Sequence, residues 1–219
     1  MNLARRLAAF ERADLYVVIT QAFCAGRGGL TILDQVLAAG VSIVQLREKD
    51  PTDRQLYELA LAFRRRTEAA AALLIIDDRL DIALAAGADG VHLGRQDLPV
   101  AAAREIAPEL IIGASSHSLE EALAAQEAGA GYVNIGPIFA TATKPAVTPL
   151  GLAALESIAP RLRIPWSTMG GINQGNIAGV VAGGARHPAV MSAVTAAPVP
   201  SAAARALREA IRGEGKSKK

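Results

Sequence analysis

The segment Gln45-Leu46-Arg47-Glu48-Lys49 sets an amide and two cations at alternate positions. Alternate side chains share one face of an extended chain, so Gln45, Arg47 and Lys49 point together. Carboxylates follow at Asp77-Asp78 and again at Gly94-Arg95-Gln96-Asp97. Two acids delivered by neighbouring strands suit one hard cation. Mg²⁺ takes one or two carboxylates and completes its octahedron with water and substrate phosphate oxygens. The chemistry expected here is metal-assisted handling of a diphosphate, with Arg47 and Lys49 taking the remaining negative charge. For one of Asp77 and Asp78 the bland alternative is a helix N-cap, because a helix-favouring stretch begins near Leu80.

A second group of residues offers hydroxyls, another cation and free backbone. It comprises Gly113-Ala114-Ser115-Ser116-His117, Gly136-Pro137, Thr141-Ala142-Thr143-Lys144-Pro145, Gly170-Gly171-Ile172-Asn173 and Val190-Met191-Ser192-Ala193. Glycine lets a ligand approach the backbone, and a following helix N-terminus offers free N–H groups, which together can hold a phosphate monoester. His117 has the side chain whose ordinary pKa suits acid–base work, although it also directly precedes Ser118, a helix-starting residue. The two groups imply two anion-binding zones.

Stepping outward from these residues, each group follows a short apolar run. The runs are 15–20, 41–46, 73–76, 90–93, 110–113, 132–135, 164–170 and 189–194. Between them lie helix-favouring stretches at 30–39, 53–70, 80–86, 119–128, 151–158, 173–182 and 201–212. Thr52…Gln55 and Ser118…Glu121 have capping-box spacing, and Gly40, Gly87 and Gly129 mark left-handed helix ends. Eight strand–helix units predict an α/β fold, a single-domain (β/α)8 TIM barrel over residues 1–212, with a basic, disordered tail at 213–219. Barrel active sites are built from the C-terminal ends of strands, where all the polar groups above fall. The structural runner-up is an open doubly wound sheet, but no spaced-glycine dinucleotide fingerprint follows the first run.

Composition narrows the function classes. Of 219 residues, 51% are hydrophobic but 4% aromatic, so the core is built from Ala, Val, Ile and Leu. With 23 basic and 21 acidic residues the formal charge is +2, and no basic face for nucleic acid is implied. Arg64-Arg65-Arg66 reads as a solvated helix face. The lone Cys24 makes no intrachain disulfide and has no local metal-ligand pattern, which fits a reducing cytoplasm. No run reaches membrane-spanning length, so a soluble, unexported protein is expected. The partners expected are small molecules, and a homo-oligomer is compatible with this composition.

Taken together, Gln45 to Lys49, the block from Asp78-Arg79 through Gly90-Val91-His92-Leu93-Gly94 to Asp97, and Gly136-Pro137 with Thr141 to Lys144 resemble the thiamine-phosphate synthase family. The resemblance runs from about Leu15 to Ala196. It implies a transferase in thiamine biosynthesis. The family joins 4-amino-2-methyl-5-hydroxymethylpyrimidine diphosphate to hydroxyethylthiazole phosphate and releases diphosphate, with Mg²⁺ as cofactor. By matching position, Gln45, Arg47, Lys49, Ser115 and Lys144 would contact the pyrimidine diphosphate, while Asp78 and Asp97 hold Mg²⁺. Thr141, Thr143, Gly171, Met191 and Ser192 would receive the thiazole phosphate. Lys49, Ser115 and Lys144 would be the catalytic residues of a dissociative reaction, in which departing diphosphate is stabilised electrostatically.

The chain departs from the family pattern at three places. Asp77 stands at a substrate-binding position where the pattern has Asn. Trp166 interrupts a run of small residues, which bears on packing or pocket width. Ala185-Arg186-His187-Pro188-Ala189 replaces Ala-Asp-Gly-Val-Ala. Two other functions are weighed beside the synthase. A related thiazole tautomerase would rely on His117 for proton transfer and need no acid pair. A non-catalytic barrel binding phosphorylated ligands would bind without turnover.

Overall fold

The computed structural model describes residues 1–141 and 147–214. Eight strands alternate with helices: β1 (Tyr16–Ile19), β2 (Ile43–Leu46), β3 (Leu73–Asp77), β4 (Gly90–Leu93), β5 (Ile111–Ser116), β6 (Tyr132–Ile135), β7 (Trp166–Thr168) and β8 (Ala189–Val190). They pair in parallel in the order β7-β6-β5-β4-β3-β2-β1-β8. A parallel bridge between Thr168 and Pro188 joins the two ends and closes the sheet. The (β/α)8 barrel expected from the sequence is the fold observed.

The period-two rule explains why these short strands hold. Val17, Ile19, Val44, Leu46, Leu74, Ile76, Val91, Ile112 and Val133 face outward and pack beneath the helices in one apolar cluster. Their sequence neighbours Tyr16, Ile43, Ile75, Ile111, Tyr132 and Ala189 face inward and fill the lower barrel. The helices are α1 (Leu3–Arg12), α2 (Gly29–Ala38), α3 (Asp53–Ala69), α4 (Leu80–Ala85), α5 (Val100–Ile106), α6 (Leu119–Glu127), α7 (Ala153–Ile158), α8 (Ile177–Ala182), α9 (Ser192–Thr195) and α10 (Pro200–Glu214). Thr52 and Gln55 form the full capping box of α3. Ser118 caps α6 by accepting from the Glu121 N–H.

Helix α1, which the sequence reading did not resolve as an element, closes the barrel floor. Its Phe10 is fully buried, stacks on Tyr132 with centroids 4.5 Å apart, and lies 5.0 Å from the ring of His187. Ion pairs tie the floor together, with Asp14 holding Arg208 and Arg212, and Asp89 holding Arg6 and Arg64. Arg64 is therefore a half-buried structural cation rather than part of a purely solvated face, and Arg66 pairs with Asp34 at 2.9 Å.

The observed elements differ from expectation in several places, among them β7, which is confined to Trp166–Thr168 within the expected run 164–170. β5 continues to Ser116, so Ser115 stands on the strand rather than after it. β8 ends at Val190, and Ser192 opens α9 because the Met191 carbonyl accepts from the N–H groups of Val194 and Thr195. α5 fills the fourth connection, which carried no predicted helix. α10 runs to Glu214, past the predicted boundary at residue 212. Among the described residues no helix is long and apolar enough to cross a membrane.

Candidate functional site

A cavity of about 440 Å³ opens at the C-terminal mouth of the barrel. Its floor is formed by inward-facing strand residues Val18, Gln45, Asp77, His92, Ser115 and Asn134, and its rim by Thr141, Gly170, Gly171, Met191 and Ser192. Gln45, Arg47, Asp77, Ser115, Thr141, Gly171, Met191 and Ser192 therefore converge on the cavity, whereas Lys49, Asp78 and Asp97 are absent from its lining, Lys49 being joined to it by contact with Asp77. His117 also lines the cavity. Thr143 and Lys144 lie outside the described residues.

The acidic side of the mouth is shaped by a turn. In an extended strand Asp77 and Asp78 would face opposite ways, but Asp78 has φ +60° and the chain reverses there. The Arg79 N–H donates to the Asp77 carbonyl at 2.7 Å, closing a three-residue γ-turn, and the Asp78 N–H donates to the His92 carbonyl at 2.8 Å. Aspartate tolerates this left-handed backbone better than most residues. As a result both carboxylates meet the ammonium of Lys49: Asp77 at 2.9 Å, with Asp78 also in direct contact. Arg47 Nε lies 3.4 Å from Asp77. Neither Asp caps α4, whose N-cap is Arg79 and makes no side-chain cap.

These contacts set the charge states. Burial, with the Asp78 charge adding to it, pushes the Asp77 carboxyl up to about 6 against the pull of Lys49 and Arg47. Burial opposes ionisation of Asp78 too, but the Lys49 hydrogen bond outweighs it and holds that carboxyl low. Burial works against the Lys49 ammonium, and the two acids more than offset it, so its pKa rises. Asp97 accepts from the Gly94 N–H at 2.6 Å, and burial together with the neighbouring Asp78 carboxylate raises its pKa.

A metal would have to be held by these acids. Among the described residues no cluster of three or more His, Cys, Asp or Glu side chains could hold one. Asp78 and Asp97 nevertheless fit Mg²⁺, since two carboxylates close enough to perturb each other's ionisation are a donor set that a hard cation takes together with phosphate oxygens and water.

On the opposite rim, Gly170 and Gly171 take φ values of +103° and +64°, and a Cβ on Gly171 would run into the Ala140 carbonyl and Phe139. The Gly171 carbonyl accepts from the side-chain amides of Asn173 and Asn176, which brace the loop. This rim presents backbone and small side chains, with no Arg or Lys among its described cavity-lining residues.

Beneath the cavity runs a buried polar chain that spacing alone did not single out as functional. Gln45 Nε2 donates to Tyr16 Oη at 2.9 Å, and Tyr16 Oη lies 3.0 Å from Tyr132 Oη. Tyr132 Oη lies 2.9 Å from His92 Nδ1, and His92 Nε2 lies 2.9 Å from Ser115 Oγ. The signal that finds these residues is register: each sits on an inward strand position. His117 makes its contacts with Glu121, through its own N–H at 2.7 Å and Nδ1 at 3.3 Å, and thereby supports the start of α6. Trp166 packs into the outer apolar cluster and is absent from the cavity lining, so it bears on packing and not on pocket width.

The family model described as thiamine monophosphate synthase matches residues 15–194. A thiamine-phosphate synthase of Moorella thermoacetica is 47% identical over 206 residues, covering 93% of this chain and 98% of that protein. One from Chloroflexus aurantiacus is 46% identical over 198 residues, covering 90% of this chain and 92% of the relative. A solved thiamine phosphate pyrophosphorylase from Pyrococcus furiosus superposes with a TM-score of 0.86 at 38% identity, covering 92% of this chain and 96% of that one.

Proposed function

The chain belongs to the thiamine monophosphate synthase family, and on that premise we propose how its barrel mouth divides the work of joining 4-amino-2-methyl-5-hydroxymethylpyrimidine diphosphate to hydroxyethylthiazole phosphate. It is a transferase acting on small molecules, and the tautomerase alternative is not favoured by its relatives, which are named as synthases. The observation that carries the division is that Arg47 and Asp77 line one side of the cavity and gather Lys49 and Asp78 beside it, while the other rim is glycine backbone.

On the acidic side, Asp78 and Asp97 would hold Mg²⁺, which when bound supplies positive charge to the diphosphate oxygens. Arg47 and Lys49 bind those oxygens and stabilise the charge that grows on them as the methylene C–O bond breaks and diphosphate departs with the bonding pair. Gln45 and Asp77 orient the pyrimidine, Ser115 donates a hydrogen bond to the diphosphate, and Lys144, outside the described residues, would supply a further cation. The thiazole nitrogen then gives its lone pair to the methylene carbon and completes the C–N bond. Thr141, Gly171, Met191 and Ser192 hold the thiazole phosphate on the other rim, where backbone N–H groups can bind a phosphate without a dedicated cation, and Thr143, outside the described residues, is assigned to the same group. A reducing cytoplasm remains part of the proposal, supported by the free, buried Cys24.

The reading is tested by the contrast between two substitutions. Asp97→Ala should abolish the Mg²⁺-dependent formation of thiamine phosphate, while His117→Ala should leave more than about a tenth of it, because His117 is assigned a helix-start contact. The reverse ranking would replace this division with proton-transfer chemistry centred on His117.

A further inference from the structure

The chain Gln45–Tyr16–Tyr132–His92–Ser115 links a residue on β2 to one on β5 across the barrel interior, with Tyr16 and Tyr132 fully buried and Gln45 and His92 nearly so. Each phenol has one hydrogen to give, and burial pushes both Tyr16 and Tyr132 up, so both remain protonated at neutral pH. A chain of single-hydrogen groups can run in one of two directions, and its end decides which. At the Gln45 end the amide nitrogen faces Tyr16 and donates to it. Tyr16 then donates to Tyr132, Tyr132 to His92 Nδ1, and His92 Nε2–H to Ser115 Oγ, because this is the arrangement in which every hydrogen of the buried chain finds an acceptor.

We propose that this interior chain is a one-way relay of donors that fixes His92 in its Nε2–H tautomer and leaves the Ser115 hydroxyl hydrogen pointed into the cavity, to be given to a hydrogen-bond acceptor on the substrate. Resting on the synthase function, the acceptor is a diphosphate oxygen, and Tyr16, Tyr132 and His92 are positioning residues. Ser115 is then a donor and not a nucleophile, since His92 presents it with an N–H rather than a lone pair. A hydrogen bond to an oxygen that gains charge as diphosphate leaves strengthens along the reaction. Its loss therefore falls on kcat more than on KM.

The structure protects the relay. A Cβ on Gly113 would overlap the ring and hydroxyl of Tyr132, so the glycine makes room for the middle of the chain. Phe10 stacks beneath that same ring.

The test uses full-length protein labelled with ¹⁵N-histidine, whose three histidines are assigned by single substitution. At pH 8 the His92 resonances should report a neutral ring protonated on Nε2. A ring protonated on Nδ1 reverses every bond in the chain and overturns the proposal. Kinetics give a second readout. His92→Gln keeps an N–H where Nε2 stood and should retain kcat within about fivefold. His92→Asn does not reach that position, and should lose roughly 10- to 100-fold in kcat with KM changed less than about threefold. Equal losses in the two variants, or none in either, overturn the positioning role. If the wild-type protein makes no thiamine phosphate, the synthase function fails while the tautomer measurement still decides the direction of the relay.

Discussion

His187 is buried at the barrel floor against Phe10, with Nδ1 lacking any hydrogen-bond partner among the described residues. Burial is the main reason its pKa falls to about 4; the Arg186 charge adds to it, while the Ala13 backbone and Asp14 pull the other way. The unfolded ring titrates near 6.5. Because the folded pKa is the lower one, the unfolded chain binds more protons between these values, so stability falls as pH falls. From linkage, the loss is about 0.8 kcal/mol at pH 6, about 2 kcal/mol at pH 5 and about 3 kcal/mol at pH 4, relative to pH 8. Other acid-sensitive groups contribute to both proteins, so the useful quantity is the difference between wild type and His187→Gln. Asp14 is such a group: burial opposes its ionisation, but Arg208 and the Leu15 N–H hold its carboxyl low, and it is shared by both. Urea unfolding followed by circular dichroism at pH 8, 6, 5 and 4 should show wild type losing about 3 kcal/mol relative to the variant over that range. A difference that stays constant from pH 8 to pH 4 would refute the claim that burial keeps this ring neutral.

Other substitutions probe the interior and the mouth. Gly113→Ala forces Tyr132 off the relay; overpacking and the broken buried hydrogen bonds together should cost about 3–5 kcal/mol. For a chain of this size that corresponds to a fall in Tm of roughly 6–20 °C, read by thermal melting. A shift under about 2 °C would mean the barrel repacks without strain. Asp77→Asn removes a carboxylate that engages Lys49 and Arg47. Freed of it, the two cations should bind the pyrimidine diphosphate more tightly, lowering its KM about three- to tenfold in steady-state assays. An increase would show that what the Asp77 carboxylate gives the pyrimidine outweighs the cationic charge it withholds from the diphosphate.

The barrel was legible because its strands are short apolar runs that recur with polar punctuation, and the Gln45, Arg47, Lys49 alternation survives intact as a shared face. Asp77 and Asp78 were legible as a pair, but not the way they act together, since a strand would have split them and a left-handed turn at Asp78 reunites them. The relay was hidden for a different reason. Tyr16, Tyr132 and His92 sit inside apolar runs, and their partnership depends on cross-barrel distances between residues 23 to 116 positions apart in sequence. The floor helix α1 escaped because its charged residues masked a pattern that buries one large side chain, Phe10. Met191 and Ser192 read as strand because Ala189 to Val194 is uniformly apolar or small, while the backbone turns into α9 at Met191.

The most direct measurement is incubation of the purified protein with the pyrimidine diphosphate and the thiazole phosphate, with Mg²⁺ and separately with excess chelator, following both products. Thiamine phosphate and diphosphate should appear in equal amounts with Mg²⁺ and fall to background with chelator. Binding of either substrate without any product under saturating Mg²⁺ would contradict the account.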